Sequence, residues 1–390
     1  MDWCKYAAMP SSLFERVRKV SDEVTDPRFR VLRDHHILHQ ATRRLMDETF
    51  ATFRGADRSF IREFQTGGFS PRVLELALFA ALHEQGHTLE HTGGAPDFLL
   101  GGDNPVAIEA TTSNPAQGAS PAADLEQLPQ GKHPLIPADL DDAEAEFVLQ
   151  SAKALRRKLE KRSAQGHAYW EAPHVQSRPF VIALESFHHF SALFHTVGPL
   201  SNYLYGRRDV AARDDQGALI LTSEKITEHR RGDTSIPSGL FAQPEAAHLS
   251  AVIFSNSATV AKFHRIGTEL GYGPEDVAML RCGGLPDPDP DAGRPIEHAY
   301  VVGDYGPEER ETFSEGFHIL HNPRASIPIA DGTFPGFTEH RLRDDGLVLT
   351  TSARPDYFTS HTLVLQGPDA RARARGYVER YRADAASSSG

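Results

Sequence analysis

Two acidic residues, Asp97 and Glu109, lie at equal distances from a glycine-rich turn. With the turn placed at Gly101 to Pro105, three residues separate it from each acid, which predicts a β-hairpin of symmetric register. Side chains alternate along a strand, so Asp97 would face Glu109 across the hairpin. The apolar pairs of this register are Phe98 with Ile108 and Leu100 with Val106.

Two carboxylates facing each other at hairpin distance repel unless a cation or a proton lies between them. Asp97 and Glu109 therefore predict a site for a hard cation such as Mg²⁺, which prefers a few carboxylates together with water. A cation held in this way can polarise a phosphate and generate a hydroxide nucleophile. Without the metal, neutralising either acid is expected to leave the fold intact or slightly more stable.

A third acid, Glu75, is the only polar residue in the apolar segment VLELALFAAL that spans positions 73–82. This segment predicts a largely buried helix, in which an unpaired carboxylate would cost several kcal/mol. Two interpretations stay open for Glu75. It is either an ion-pair partner of Arg72, one turn earlier, or a functional acid.

The same helix leads into HEQGH at positions 83–87, which satisfies the zinc-peptidase pattern H-E-x-x-H. That pattern needs a continuous helix through His87, so that both histidines lie on one face. Gly86 followed by extended residues predicts that the helix stops first. A third ligand is also unclear, because His91 would lie on the following strand. A zinc metallopeptidase is therefore kept as an alternative function.

A run of basic residues follows in ALRRKLEKR, within a segment of helical pattern from about 141 to 166. Such a run is usually a solvated helix face, and it is also the one local source of positive charge for binding phosphates. The net charge of the chain is −12. Because that charge opposes general attraction to nucleic acid, any contact must be local.

The arrangement of patterns along the chain predicts an α/β sheet flanked by helices. Because 390 residues exceed what one core usually organises, two or three structural units are expected, divided over four regions of the chain. They are a helical N-terminal segment over 1–60, a core over 61–207, an α+β C-terminal region over 208–382 and a disordered tail over 383–390.

In its order of motifs, the stretch from about Phe60 to Gly206 resembles the PD-(D/E)XK nuclease superfamily. The motifs are SPRVLELALFAALHEQG, PDFLL, VAIEATT, a basic helix and the buried strand PFVIALES. The resemblance implies a restriction-endonuclease-like mixed sheet. It also implies that Glu75, Asp97 and Glu109 bind Mg²⁺ or Mn²⁺ and act in catalysis.

One position departs from that family, which usually has a lysine two residues after the strand acid, where this chain has Thr111. Some members carry the lysine on the following helix. Lys158 is the predicted replacement, with Lys161 in reserve, because Lys158 lies beside an apolar stripe along which its side chain could reach the hairpin. The residues expected to bind nucleic acid are Arg156, Arg157, Lys161 and Arg162.

The sequence thus predicts a metal-dependent nuclease-type phosphodiesterase acting on nucleic acid, with DNA favoured over RNA. A nuclease fold that binds without cleaving is the first alternative, supported by Thr111 and the acidic net charge. No apolar run reaches the ~20 residues of a membrane span, and no secretory signal is recognised, so the expected compartment is the cytoplasm. Cys4 and Cys282 are expected to be ordinary thiols. The oligomeric state is left open.

Overall fold

The computed structural model describes residues 12–18, 20–53, 59–90, 94–114, 139–289, 292, 294–305 and 310–388. Its α-helices are α1 (Pro27–Asp34), α2 (Gln40–Thr52), α3 (Phe60–Gln65), α4 (Phe69–Glu84), α5 (Leu140–Glu160), α6 (Val197–Tyr205), α7 (Val260–Glu269) and α8 (Ala370–Ser388). Its strands are β1 (Phe98–Leu100), β2 (Val106–Ser113), β3 (Phe180–Ser186), β4 (Arg207–Arg213), β5 (Leu219–Lys225), β6 (Glu228–Arg231), β7 (Thr234–Pro237), β8 (Leu249–Ser255), β9 (Val277–Leu285), β10 (Ile296–Val301), β11 (Phe317–His321), β12 (Thr338–Leu342), β13 (Val348–Thr351) and β14 (Thr359–Gln366).

The main sheet has seven strands in the order β1-β2-β3-β8-β11-β12-β13. Strands β2, β3 and β8 run parallel to each other, while β1 and β11 are antiparallel to their neighbours β2 and β8. Every residue of β3 and β8 is buried, as expected of parallel strands covered on both faces. The predicted mixed α/β sheet flanked by helices is confirmed.

Two hydrophobic cores fill the two faces of this sheet. The first contains the apolar residues of α4, which is buried over most of its length, together with side chains from α1, α2 and α3. The second contains the apolar stripe of α5 and the buried residues of α6. Because α4 and α5 cover opposite faces, the hairpin β1–β2 lies between the two helices that carry the predicted site residues.

Elements from different predicted regions pack in the same sheet and the same core. The main sheet takes strands from both sides of position 207, and helices from the first 60 residues pack in the same core as α4. A second sheet, in the order β10-β9-β14, packs against α8. That helix continues to Ser388, so residues 383–388 are helical where a disordered tail is expected from the sequence. No helix among the described residues is long and apolar enough to cross a membrane.

Candidate active site

The hairpin that carries Asp97 and Glu109 has the predicted register. Phe98 is paired with Ile108 and Leu100 with Val106, which confirms the symmetric turn. Asp97 immediately precedes β1, and its carboxylate accepts a hydrogen bond of 2.8 Å from the backbone N–H of Ala110. The two acids are therefore neighbours at the edge of the sheet.

Asp97 is held in an environment that opposes its negative charge. Burial raises the pKa of its carboxyl group to about 6, and the nearby charge of Glu109 contributes in the same direction. Lys158 and Arg72 act the other way but do not cancel these effects. A carboxyl group with such a pKa lies close to half-ionised under mildly acidic conditions, and it would gain from a nearby cation.

Glu109 is buried, with 3% of its surface exposed, and its two oxygens have different surroundings. Oε1 accepts a hydrogen bond from the Lys158 Nζ at 2.5 Å and another from the Tyr169 hydroxyl at 2.6 Å. Oε2 is buried and accepts no hydrogen bond from the described residues. Buried carboxylate oxygens normally have a hydrogen-bond partner. The Oε2 atom of Glu109 is therefore available as a metal ligand.

Lys158 reaches Glu109 because of how α5 is built. The Asp139 side chain caps the helix by accepting from the N–H of Asp142, and two acidic residues follow in the first turn, where the helix dipole favours them. A buried stripe that includes Leu155 and Leu159 holds α5 against the sheet. Lys158 lies beside this stripe near the C-terminal end, where its ammonium group faces the hairpin, as predicted.

The position that departs from the nuclease pattern also meets a cation. Thr111 lies on the same strand as Glu109, and its hydroxyl accepts a hydrogen bond of 3.2 Å from the Arg157 Nη2. Two adjacent residues of α5 thus deliver positive charge to two positions of β2. Lys158 is predicted from the sequence for this purpose, whereas Arg157 is predicted only to bind nucleic acid.

The other predicted nucleic-acid residues point in different directions. Arg156 donates to Gln243 at 2.7 Å and lies 3.6 Å from Glu245, away from the hairpin. Lys161 lies over the ring of Tyr169, and Arg162 lies over the ring of Trp170. Arg157, Lys161 and Arg162 are exposed, so these three have access to a ligand in solvent.

Glu75 takes the ion-pair role that the sequence left open. Its carboxylate lies 2.6 Å from the Arg72 guanidinium, which also binds Glu63 at 2.7 Å. Within the described residues, no group of three or more acidic, histidine or cysteine side chains is arranged to hold a metal ion. Asp97 and Glu109 are neighbours at the hairpin, whereas Glu75 is paired with Arg72, so its role as a third metal ligand stays a prediction.

Comparison with known proteins adds nothing to these contacts. No family model, curated protein or solved structure matches the chain.

The HEQGH segment does not form the helical zinc site that its pattern suggests. Helix α4 ends at Glu84, and Gly86 has a φ of 81°, as predicted for a glycine that terminates a helix. The Glu84 carboxylate accepts hydrogen bonds from the backbone N–H groups of Phe313 and Ser314 and from the Ser314 hydroxyl. The Glu84 carboxylate therefore stabilises the loop that contains Phe313 and Ser314. His91, the expected third ligand, lies outside the described residues.

Tyr169 belongs to the site although nothing in the sequence pointed to it. It lies in a short 3-10 helix, Tyr169–Glu171, and its ring stacks on Phe180 at 5.5 Å. Burial and the carboxylate of Glu109 raise the pKa of the hydroxyl above its ordinary value, so the group stays a proton donor. An isolated tyrosine 60 residues from its partner carries no sequence pattern.

The pair of acids fits a single hard cation. Asp97 and Glu109 supply oxygen ligands, and both the raised pKa of Asp97 and the buried Oε2 of Glu109 are features that a cation would relieve. The structure does change one expectation. Glu109 is paired with Lys158, so neutralising Glu109 leaves an ammonium group without its carboxylate and is expected to destabilise the fold.

Proposed function

We propose that the protein is a metal-dependent nuclease-type phosphodiesterase with a restriction-endonuclease-like core. The order of elements supports this proposal: helix α4, the antiparallel hairpin β1–β2, the basic helix α5 and then β3 parallel to β2. The observation that carries it is the buried carboxylate pair with an ammonium group at 2.5 Å from one member. Neither the carboxylate pair nor its contact with the ammonium group depends on the residue at position 111.

In this proposal, Asp97 and Glu109 hold one Mg²⁺ or Mn²⁺ ion. When bound, such an ion polarises a phosphate oxygen and lowers the pKa of coordinated water. Lys158 lies where it can stabilise negative charge that develops on the phosphate, the role that a preorganised cation has in a low-dielectric site. Tyr169 orients the Glu109 carboxylate through its hydrogen bond to Oε1.

The remaining charged residues have supporting roles. Arg157 brings a second cation to the edge of the site through Thr111, and its exposed position allows contact with substrate phosphate. Glu75 acts through Arg72, whose charge lowers the pKa of Asp97. With a net charge of −12, binding depends on these local cations, and the substrate proposed is nucleic acid, DNA before RNA.

The decisive experiment measures cleavage of labelled DNA and RNA with EDTA, Mg²⁺ or Mn²⁺. Asp97→Asn should lower metal-dependent cleavage on the order of 10³-fold, because one of two metal ligands is lost. Asp103→Asn is the matched control, since Asp103 is an exposed acid in the turn of the same hairpin. Full cleavage by Asp97→Asn would contradict the proposal. A structure with Mn²⁺ should show density between Asp97 and Glu109.

A binding protein that has kept the nuclease fold is the second candidate. Two observations favour it: Glu75 is paired with Arg72, and Lys158 already neutralises Glu109 without any metal. This candidate predicts nucleic-acid binding with no turnover in either metal. It also predicts that Asp97→Asn leaves binding unchanged with or without Mg²⁺.

A further inference from the structure

A stacked pair of aromatic rings lies at the surface of the molecule. Trp170 and His248 have ring centroids 5.2 Å apart and planes within 12° of each other. Trp170 directly follows Tyr169, whose hydroxyl donates to Glu109. His248 is exposed, so one aromatic surface of the pair is open to solvent.

Two grooves meet at this ring pair. One has a volume of about 350 Å³ and the other about 360 Å³. Trp170, Glu171 and His248 line both of them. Arg162 lines the first groove and Arg178 the second, so a guanidinium group lies on each side of the aromatic surface.

Arg162 is suited to binding a phosphate. Its Nη1 donates to the backbone carbonyls of Leu159 and Lys161, and no carboxylate lies within ion-pair distance among the described residues. Arg178 is paired with Glu90 at 2.9 Å and also donates to the carbonyl of Leu100 in the hairpin. The cation with unused capacity is therefore the one that lies over Trp170.

Acidic residues limit how much of a nucleic acid this surface can contact. Glu160, Glu171 and Glu245 also line the first groove. A long run of phosphates would be repelled by them, whereas one base with a single phosphate at Arg162 would not. Aromatic faces accept any base, and each stacked base contributes substantially to binding of single strands.

The second groove contains a residue with unusual backbone geometry. Ser177 has a φ of 67°, a region that non-glycine residues rarely adopt. Such conformations are often retained at functional sites. Ser177 and Arg178 connect the aromatic pair to the start of β3, which lies next to β2 in the sheet.

We propose that the Trp170–His248 pair stacks with an unpaired base of the substrate while Arg162 binds the adjoining phosphate. The substrate class is then single-stranded or locally unpaired nucleic acid rather than continuous duplex. This inference rests on the proposed nuclease function, since Trp170 directly follows Tyr169, the residue that donates a hydrogen bond to Glu109. It also accounts for a preference of that site for single-stranded over duplex nucleic acid.

The composition of the chain provides a direct test. The sequence has two tryptophans, Trp3 and Trp170, so Trp3→Phe leaves Trp170 as the only tryptophan. In EDTA, a mixed-sequence single strand of about 12 nucleotides, as DNA or RNA, should quench its fluorescence, and a duplex of equal length should quench it less. Trp170→Ala should weaken single-strand binding by about 5- to 150-fold, the usual effect of losing one stacked base.

Three further variants separate stacking from a general loss of structure. Trp170→Phe keeps an aromatic face and should bind nearly as well as the wild type. His248→Ala removes an exposed ring and should weaken single-strand binding without affecting the fold. Phe358→Ala removes a partly exposed ring remote from these grooves and should have no effect.

The outcomes distinguish this inference from the proposed function. Unchanged single-strand affinity in both Trp170→Ala and His248→Ala would overturn the stacking inference, whatever the cleavage assay shows. Equal quenching by single strand and duplex would also overturn it. Single-strand binding that depends on Trp170, with no cleavage in Mg²⁺ or Mn²⁺, would support the inference and contradict the nuclease function alone.

Discussion

Two of the regions that contain buried charge are balanced differently. In the first, the hairpin site, the carboxylates of Asp97 and Glu109 share one close ammonium group, that of Lys158. In the second, between α7 and β9, Arg265 binds both oxygens of Glu311 at 2.6 Å, and Arg281 binds Glu315 at 2.7 Å.

The pKa values reflect this difference. Burial alone would raise the pKa of Glu311, yet Arg265 and Arg281 hold it at about 2. Burial raises the pKa of Asp97 to about 6, the charge of Glu109 adds to this rise, and Lys158 and Arg72 offset only part of it. In the second region the guanidinium groups of Arg265 and Arg281 offset the charge of Glu311, whereas the hairpin site has an excess of negative charge that a ligand can neutralise.

The largest predicted effect is the loss of stability when the ion pair between Arg265 and Glu311 is broken. Arg265→Met should lower the free energy of unfolding by about 3–5 kcal/mol, because Glu311 is left buried without its bidentate partner. Urea unfolding measures this loss. The metal-induced shift in melting temperature should be the same as in the wild type, and a lost shift would show that the two regions are coupled.

Lys158 should matter more to turnover than to binding. Lys158→Ala is expected to reduce kcat by about 10²–10³-fold, the usual cost of removing one preorganised group that stabilises the transition state. Its Kd for substrate should change little, since Arg157, Lys161 and Arg162 remain. Steady-state kinetics and binding in EDTA separate the two quantities. Equal losses in both would make Lys158 an ordinary phosphate contact, and Lys158→Arg controls for charge.

Asp97 and Glu109 should respond oppositely to neutralisation without metal. The pKa of Asp97 is about 6 in the fold and 3.8 as its reference value, so its ionisation destabilises the folded state as pH rises through 6. Asp97→Asn should therefore be more stable than the wild type by about 1–3 kcal/mol at pH 8, and the gain should disappear near pH 4.

Glu109→Gln should be less stable than the wild type at pH 8, because Lys158 loses its carboxylate. Unfolding in EDTA at several pH values measures both variants. Destabilisation by Asp97→Asn at pH 8, with cleavage retained, would show that Asp97 is structural.

The smallest effect is predicted at the HEQGH segment. His83 is exposed and contacts the ring of Phe79, so His83→Ala should change the free energy of unfolding by less than about 0.5 kcal/mol and leave cleavage intact. Zinc analysis of the purified protein is the accompanying measurement. Loss of activity together with loss of zinc would contradict the nuclease function.

Local patterns explain which features were predictable. The hairpin register follows from the alternation of side chains around a symmetric turn, and the end of α4 follows from the conformational freedom of Gly86. Lys158 was predictable because helical spacing placed it beside a buried stripe. In each case the residues that decide the structure are close together in the sequence.

Other features depend on residues far apart in the chain. The pairing of Tyr169 with Glu109 and of Glu84 with Ser314 joins segments that are 60 and 230 positions apart. The periodicity of apolar residues in the sequence does not indicate such contacts, because they result from how whole elements pack. The same reason explains why the sheet continues beyond position 207, since strand order across a long connection is set by tertiary packing.

The strand order also has a consequence for synthesis on the ribosome. The central strand β8 is flanked by β3 and β11, and β11 begins at Phe317, some 200 residues after the end of β2. At about 5–20 residues per second, roughly 10–40 s pass between the emergence of these strands. During that interval β3 lacks its neighbour until β8 has been made, and β8 then lacks β11, so the nascent chain presents unpaired strand edges that a chaperone can recognise.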